Sequence, residues 1–303
     1  MRYGLVSPLR AYFRYAPGAF AKRVMWNSVV SHLCWLESTV TSRTVFGQRV
    51  VADAAEPVGK YIYYFGIWEP NLTHWLQGRL GPGDVFVDVG ANVGYYSLLA
   101  SGLVGAGGKV VSIEALPQFF AFLKDNIAIN HVSNIRPVQA AAWDCEGTVK
   151  LFLRPDHPTG TTTAIPEWAD RFHLEDVCEV PGRPLAALLR PDEIAAARVI
   201  KIDVEGAEWR VVNGLGDLIR SGRKDLEFVV EVTPGMGNTE EAVPDVVGYF
   251  KELGFYPYQI ENNYSAEAYY RNHPLGRPTR LETTAGLGIQ ADIVFSRRDT
   301  MYL

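Results

Sequence analysis

The stretch Asp88-Val89-Gly90-Ala91-Asn92-Val93-Gly94 combines a carboxylate, a primary amide and two glycines. It lies between the apolar run Val85-Phe86-Val87 and a helical pattern through Tyr96, Leu98, Leu99 and Val104. That order predicts a strand, a glycine turn and a helix, which is how open α/β sheets present a ligand at a strand's carboxyl end. A dinucleotide fingerprint requires G-x-G-x-x-G, and counting from Gly90 puts Asn92 and Tyr95 where its second and third glycines belong. A nicotinamide cofactor is therefore disfavoured. A carboxylate two residues before the first glycine repels a pyrophosphate, whereas it attracts a ligand carrying an ammonium and a sulfonium. S-adenosylmethionine carries both, and Asp88, Gly90, Asn92, Gly94 and Tyr95 are its predicted contacts in this turn.

A second carboxylate supports that assignment. Lys109-Val110-Val111-Ser112-Ile113-Glu114 reads as the next strand and ends in an acid 26 positions after Asp88. An acid there is placed to accept both hydroxyls of a ribose, with Ala115 beside it. Pro117 suits the first turn of the helix that follows, whose apolar groups are Phe119, Phe120, Phe122, Leu123, Ile127 and Ile129. An Asp before a turn often only caps a helix, so it is the combination of Asp88 with Glu114 that carries the cofactor reading.

These groups need a sheet to hold them. Residues 135–143 read as a third strand, and 148–153 as a hairpin strand after the turn Glu146-Gly147. Residues 155–182 are mixed, 185–189 a short helix, 199–203 a fourth strand, 207–218 an amphipathic helix and 226–232 a fifth strand. A helix over 243–253 is ended by Gly254, and strands follow at 256–260 and 291–295. Strands alternating with helices predict a mostly parallel sheet. With no convincing helix between the last two strands, the final one is expected to be antiparallel. Setting 148–153 aside, seven such strands resemble the class I methyltransferase (Rossmann-like) architecture, in a domain over residues 56–303 behind an N-terminal helical arm over residues 1–55.

The excursion at 263–289 carries Tyr264, Tyr269, Tyr270, Arg271, Asn272, His273 and Arg277, with Gly276, Gly286 and Gly288. Loops of that length usually serve a site, so a lid over the acceptor is expected, with a surface insertion as the alternative.

Composition narrows the partners. The 303 residues are 48% hydrophobic and 21% charged, enough for a full core. A net charge of −5 argues against nucleic acid, which calls for a basic face, and leaves a small-molecule or glycan acceptor. Cys34, Cys145 and Cys178 are odd in number and lack a C-x-x-C pair, so neither a disulfide framework nor a zinc site is expected. No apolar run reaches the roughly 18 residues of a membrane span, and residues 1–17 lack a signal-peptide core. The expected location is cytoplasmic. The first 45 residues set Arg2, Arg10, Arg14, Lys22, Arg23 and Arg43 against Glu37, interleaved with Tyr12, Phe13, Phe20, Met25, Trp26, Leu33 and Trp35. That pattern suits peripheral contact with an anionic membrane, or an arm packed on the core or on a second subunit.

Four blocks resemble the FkbM family of S-adenosylmethionine-dependent methyltransferases. They are Phe65-Gly66-Ile67-Trp68-Glu69-Pro70, the turn from Val87 to Tyr96, Ile113-Glu114-Ala115-Leu116-Pro117 with Asn126 and Asn130, and Lys201-Ile202-Asp203-Val204-Glu205-Gly206-Ala207-Glu208. The last is the most specific, and the resemblance spans about residues 60–232. Pro184-Leu185-Ala186-Ala187-Leu188-Leu189 departs from a more usual Leu-Asp-Asp pattern. The resemblance implies O-methylation of a hydroxyl on a sugar, glycolipid or polyketide-type natural product. A non-catalytic partner protein on the same fold is the alternative, and the retained Asp88 and Glu114 weigh against it.

Methyl transfer from a sulfonium depends on alignment, and an alcohol must lose its proton to a nearby base. Asp203 and Glu205 leave the fourth strand at its carboxyl end and are the leading bases. Asp203 is equally suited to the cofactor's ammonium, and Glu205 to capping the helix near Gly206. Glu231, near the end of the fifth strand, is a further catalytic candidate, whereas Glu208 in a first helical turn suits a solvated or paired role. Trp143 and Asp144 follow the third strand, where adenine contacts are expected, or are simply a packed ring and a turn acid. None of the six histidines, His74 and His273 included, has ligand spacing. No metal is expected, although Asp203, Glu205 and Glu231 together offer oxygens suited to magnesium.

Overall fold

Strands whose residues are apolar on both faces are stable only where other elements cover both sides, as in parallel sheets. In the computed structural model, which describes residues 3–16, 18–30, 39–153, 162–232, 246–270, 275–284, 287 and 291–303, that expectation is met. The strands in chain order are β1 (Thr39–Arg43), β2 (Arg49–Asp53), β3 (Val85–Val89), β4 (Lys109–Glu114), β5 (Ile135–Gln139), β6 (Ala141–Trp143) and β7 (Gly147–Leu153). They continue with β8 (Thr162–Thr163), β9 (Glu175–Pro184), β10 (Ala197–Ile202), β11 (Glu227–Val232), β12 (Tyr256–Ile260), β13 (Thr279–Arg280) and β14 (Ala291–Ser296). The main sheet runs β13-β12-β14-β11-β10-β3-β4-β5. Its pairs from β5 to β11 are parallel, and β14 is antiparallel to both β11 and β12.

All residues of β3, β10 and β14 are buried. Alternation along β3, β4 and β10 sorts residues between two cores, with Phe86, Val110 and Val199 in one and Val87, Val111 and Ile200 in the other. Proline opens the helices Pro57–Phe65, Pro70–Arg79, Pro117–Ile129, Pro166–Phe172 and Pro191–Ala196. There its fixed φ is already helical and its missing N–H costs nothing.

The structure corrects several expectations. The chain leaves the main sheet at Ala140, so the predicted third strand is two, and β6 pairs with β9 in a second sheet ordered β6-β9-β7-β8. β7 pairs with β9, not with the strand before it. The helix expected over 207–218 breaks at Gly214 into Glu208–Asn213 and Gly216–Ser221. A short helix, Ala266–Tyr270, lies between β12 and β14. The predicted helix over 243–253 is seen as Val246–Glu252, its first three residues lying outside the described ones.

The arm is helical only at Tyr3–Tyr15 and Ala19–Met25, followed by a π-helical turn at Trp26–Val30, and its later part is the β1–β2 hairpin. It packs on the body. Phe13, 1% exposed, meets the rings of Trp26, Tyr64 and Phe65, and such a burial stabilises by about 1.5–3 kcal/mol. Arg10 donates to the carbonyl of Tyr63, Arg14 to those of Arg43, Ile62, Tyr63 and Tyr64, and Lys22 to that of Phe13. Apart from the Arg43 carbonyl in β1, these acceptors lie in the last turn of a helix, where carbonyls run short of backbone donors. Among the described residues, no helix is long and apolar enough to cross a membrane.

Candidate functional site

The sheet order reverses between β3 and β10, because β4 and β5 lie to one side of β3 and β10 and β11 to the other. Open α/β sheets bind ligands at such a point, and a cavity of about 670 Å³ lies there. The turn after β3 forms its floor. Gly90 has φ 79° and Asn92 φ 50°, left-handed values that glycine and asparagine tolerate best. The Asn92 side chain accepts from the Val93 N–H at 2.7 Å, holding the turn.

Glu114, at the end of β4, lines the cavity. Its Oε2 accepts from the Asn92 N–H at 2.7 Å and its Oε1 from the Leu116 N–H at 2.8 Å. A carboxylate oxygen has room for two donors, so each retains acceptor capacity toward the cavity. Burial pushes its pKa up to about 7, against the pull of those amides. Ala115 and Trp143 also line the wall, with Leu151, Thr162 and Thr163 contributed by the second sheet.

The opposite side is acidic. Asp203 leaves β10 with its Oδ2 2.6 Å from Lys201 Nζ. Glu205 has φ 52°, an uncommon value for a residue of its type and one that clusters at functional sites. It is half-buried and lines the cavity, and burial with the nearby charges of Asp203 and Glu208 pushes its pKa well up. Glu231 lines the same wall, is raised in the same way, and is 5% exposed. One carboxylate oxygen from each of Asp203, Glu208 and Glu231 lies within 4.8 Å of the others.

Thus the cavity brings together Gly90, Asn92, Tyr95, Glu114, Ala115, Trp143, Asp203, Glu205 and Glu231. Asp88, Gly94 and Asp144 are not on its wall. Asp88 is 1% exposed, its Oδ2 accepts from Ser97 Oγ at 2.6 Å, and it faces the charge of Lys201 beneath the turn. Gly94, φ 86°, lets the helix Tyr95–Val104 start against Leu123, whose Cδ1 would lie 2.6 Å from a Cβ there. Asp144 is paired with Arg210 at 2.9 Å. Glu208 is buried, not solvated, and its Oε1 accepts from the N–H groups of Val204 and Gly206. His74 is exposed, and His273 lies outside the described residues.

Sequence reasoning assigned no role to Glu69 or Lys201, yet both line the cavity. Glu69 is 3% exposed and accepts hydrogen bonds from the phenols of Tyr96 and Tyr264. Of the long excursion, Tyr264 reaches the cavity, while Arg271, Asn272, Gly286 and Gly288 lie outside the described residues.

Comparisons with known proteins bear on this geometry. Residues 88–257, more than half of the chain, match the model of the methyltransferase FkbM domain. The chain is 30% identical over 209 residues to the 31-O-demethyl-FK506 methyltransferase FkbM of Streptomyces tacrolimicus, across 61% of this chain and 76% of that protein. It is 28% identical over 163 residues to the methyltransferase sdnD of Sordaria araneosa, across 45% and 62% of the two chains. Among solved structures, a methyltransferase FkbM from Methylobacillus flagellatus KT superposes with a TM-score of 0.43 at 14% identity, over 74% of this chain and 50% of that one. With the glycine turn, the acid ending β4 and the acids following β10 all inside the matched region, the chain belongs to the FkbM family of methyltransferases.

Proposed function

We propose that the protein transfers a methyl group from S-adenosylmethionine to a hydroxyl of a sugar, glycolipid or polyketide-type natural product. The observation that carries this reading is Glu114. It is a buried carboxylate at the end of β4, fixed by two backbone amides and still able to accept from the cavity, which suits the paired hydroxyls of a ribose. Trp143 and Ala115 offer the flat apolar surface that a purine needs, and the volume of about 670 Å³ lies in the range of small-molecule sites.

When bound, S-adenosylmethionine supplies a methyl group on a sulfonium, with a neutral thioether as leaving group. The chain's own contribution is alignment and proton removal. Glu205 is the favoured base, because it lines the cavity and its carboxylate forms no hydrogen bond or ion pair with another described residue. Its raised pKa makes it a stronger base than an ordinary carboxylate. Asp203 is tied to Lys201, which suits a binding role better than proton transfer. The 31-O-demethyl-FK506 methyltransferase, whose name places its methyl group on an oxygen, supports a hydroxyl acceptor.

Calorimetric titration with S-adenosylmethionine and NAD tests the cofactor, and transfer of a labelled methyl group to a panel of polyols and macrolides tests the acceptor. Binding of the first cofactor and label in an ether product are expected. NAD binding alone, or label appearing only on nitrogen or carbon, would refute the reading.

A further inference from the structure

Glu69 is held more firmly than a wall residue requires. Tyr96 donates to its Oε2 at 2.5 Å and Tyr264 to its Oε1 at 2.8 Å. Its N–H donates to Tyr269 Oη at 3.2 Å and its carbonyl accepts from the Thr73 N–H at 2.9 Å. Its φ is 41°, immediately before Pro70. A non-glycine residue in that conformation persists where its surroundings over-determine it, and such residues cluster at ligand sites.

The two phenols occupy one acceptor position on each oxygen, and a carboxylate has about four. Among the described residues no Lys, Arg or His is ion-paired with Glu69, since Lys201 is bound to Asp203 at 2.6 Å. A buried carboxylate on a cavity wall without a cation of its own is costly, and a ligand cation would offset that cost.

Position says which cation. Glu114 stands at the end of β4, and β3 lies between β4 and β10. The cavity runs from Glu114 past the turn after β3 to Lys201 and Asp203, so a nucleoside with its ribose at Glu114 can direct its 5′ end toward β10. Glu69 lies there, within electrostatic reach of Lys201 and Asp203. Asp88, the acid the turn motif suggested for this task, is buried beneath the turn and off the wall.

We propose that Glu69 binds the ammonium of the amino-acid end of S-adenosylmethionine, through the carboxylate that Tyr96 and Tyr264 orient. This inference rests on the reading that the cavity holds that cofactor. The test is titration of the wild-type chain, Glu69→Gln and Tyr264→Phe with S-adenosylhomocysteine and with its deamino analogue. The wild type is expected to prefer the amino compound about tenfold or more, the scale of one charged hydrogen bond. Glu69→Gln should reduce that preference to within about threefold while binding the deamino analogue as the wild type does. Tyr264→Phe, which keeps the carboxylate, should retain the preference. Full preference persisting in Glu69→Gln would overturn the proposal. So would equal loss of both ligands, which would mark Glu69 as a structural tie between two tyrosines. If the wild type binds neither compound, the cofactor reading itself fails.

Discussion

A side-chain carbon on Gly90 would stand 1.8 Å from the carbonyl oxygen of Asp203. The turn after β3 and the exit of β10 are therefore pressed together at the point where the sheet order reverses. Gly90→Ala must both strain a left-handed backbone and force these segments apart. The expected loss of stability is roughly 2–6 kcal/mol, summing a strain and an overpacking cost, read by urea denaturation. A loss below about 1 kcal/mol would show that the two segments separate freely.

Glu114→Gln retains one acceptor oxygen where two backbone amides now point. Cofactor affinity should weaken by about 1–3 kcal/mol, the scale of a charged hydrogen bond, in a chain that still folds. Unchanged affinity by calorimetry would remove Glu114 from the ribose site.

Glu205→Gln should divide activity from stability. Turnover is expected to fall on the order of 10²- to 10⁴-fold, the usual contribution of a general base, with cofactor affinity retained. Because burial, with repulsion from Asp203 and Glu208, raises the pKa of Glu205, neutralising it should leave the melting temperature unchanged or higher. Full turnover in this variant would transfer the base role to Glu231.

Stability should fall as pH rises. Burial pushes Glu114 and Glu208 up to about 7 and Glu56 up to about 8, so the folded chain keeps protons that the unfolded chain releases near 4.5. Where the unfolded state binds fewer protons, stability declines with pH. The melting temperature should therefore drop between about pH 5 and pH 8, and a rise over that window would contradict these shifts.

Turnover should survive chelation. Asp203 is paired with Lys201, and Glu208 Oε1 already accepts from two backbone amides, so the carboxylate trio is partly engaged within the protein. Activity lost in EDTA and restored by magnesium would instead assign Asp203, Glu208 and Glu231 a cation.

What was legible in the sequence was local. Glu114 could be placed because a strand's end and the acid that closes it are contiguous, and the glycine turn for the same reason. Asp88 had the right type at the right spacing, but as a strand residue it points beneath the turn, toward Ser97, and composition alone does not decide which face is the cavity. The β1 strand buries Val40 and Ser42, and because Ser42 is polar the sequence there carries no apolar alternation to mark a strand. Glu69 was quoted within a motif and given no task. Its partners Tyr96 and Tyr264 lie 27 and 195 positions away, and only folding brings them together.

The anchoring of Arg14 ties the distant arm to a helix that forms part of the cavity wall. Its guanidinium closes the last turn of the helix Pro57–Phe65, and the Trp26 ring packs edge-on against Tyr61, which lines the cavity from that same helix. A protease cutting in the arm would leave the carbonyls of Ile62, Tyr63 and Tyr64 without these donors and take away the backing of one wall. Damage more than thirty residues upstream would then register as a loosened cavity wall.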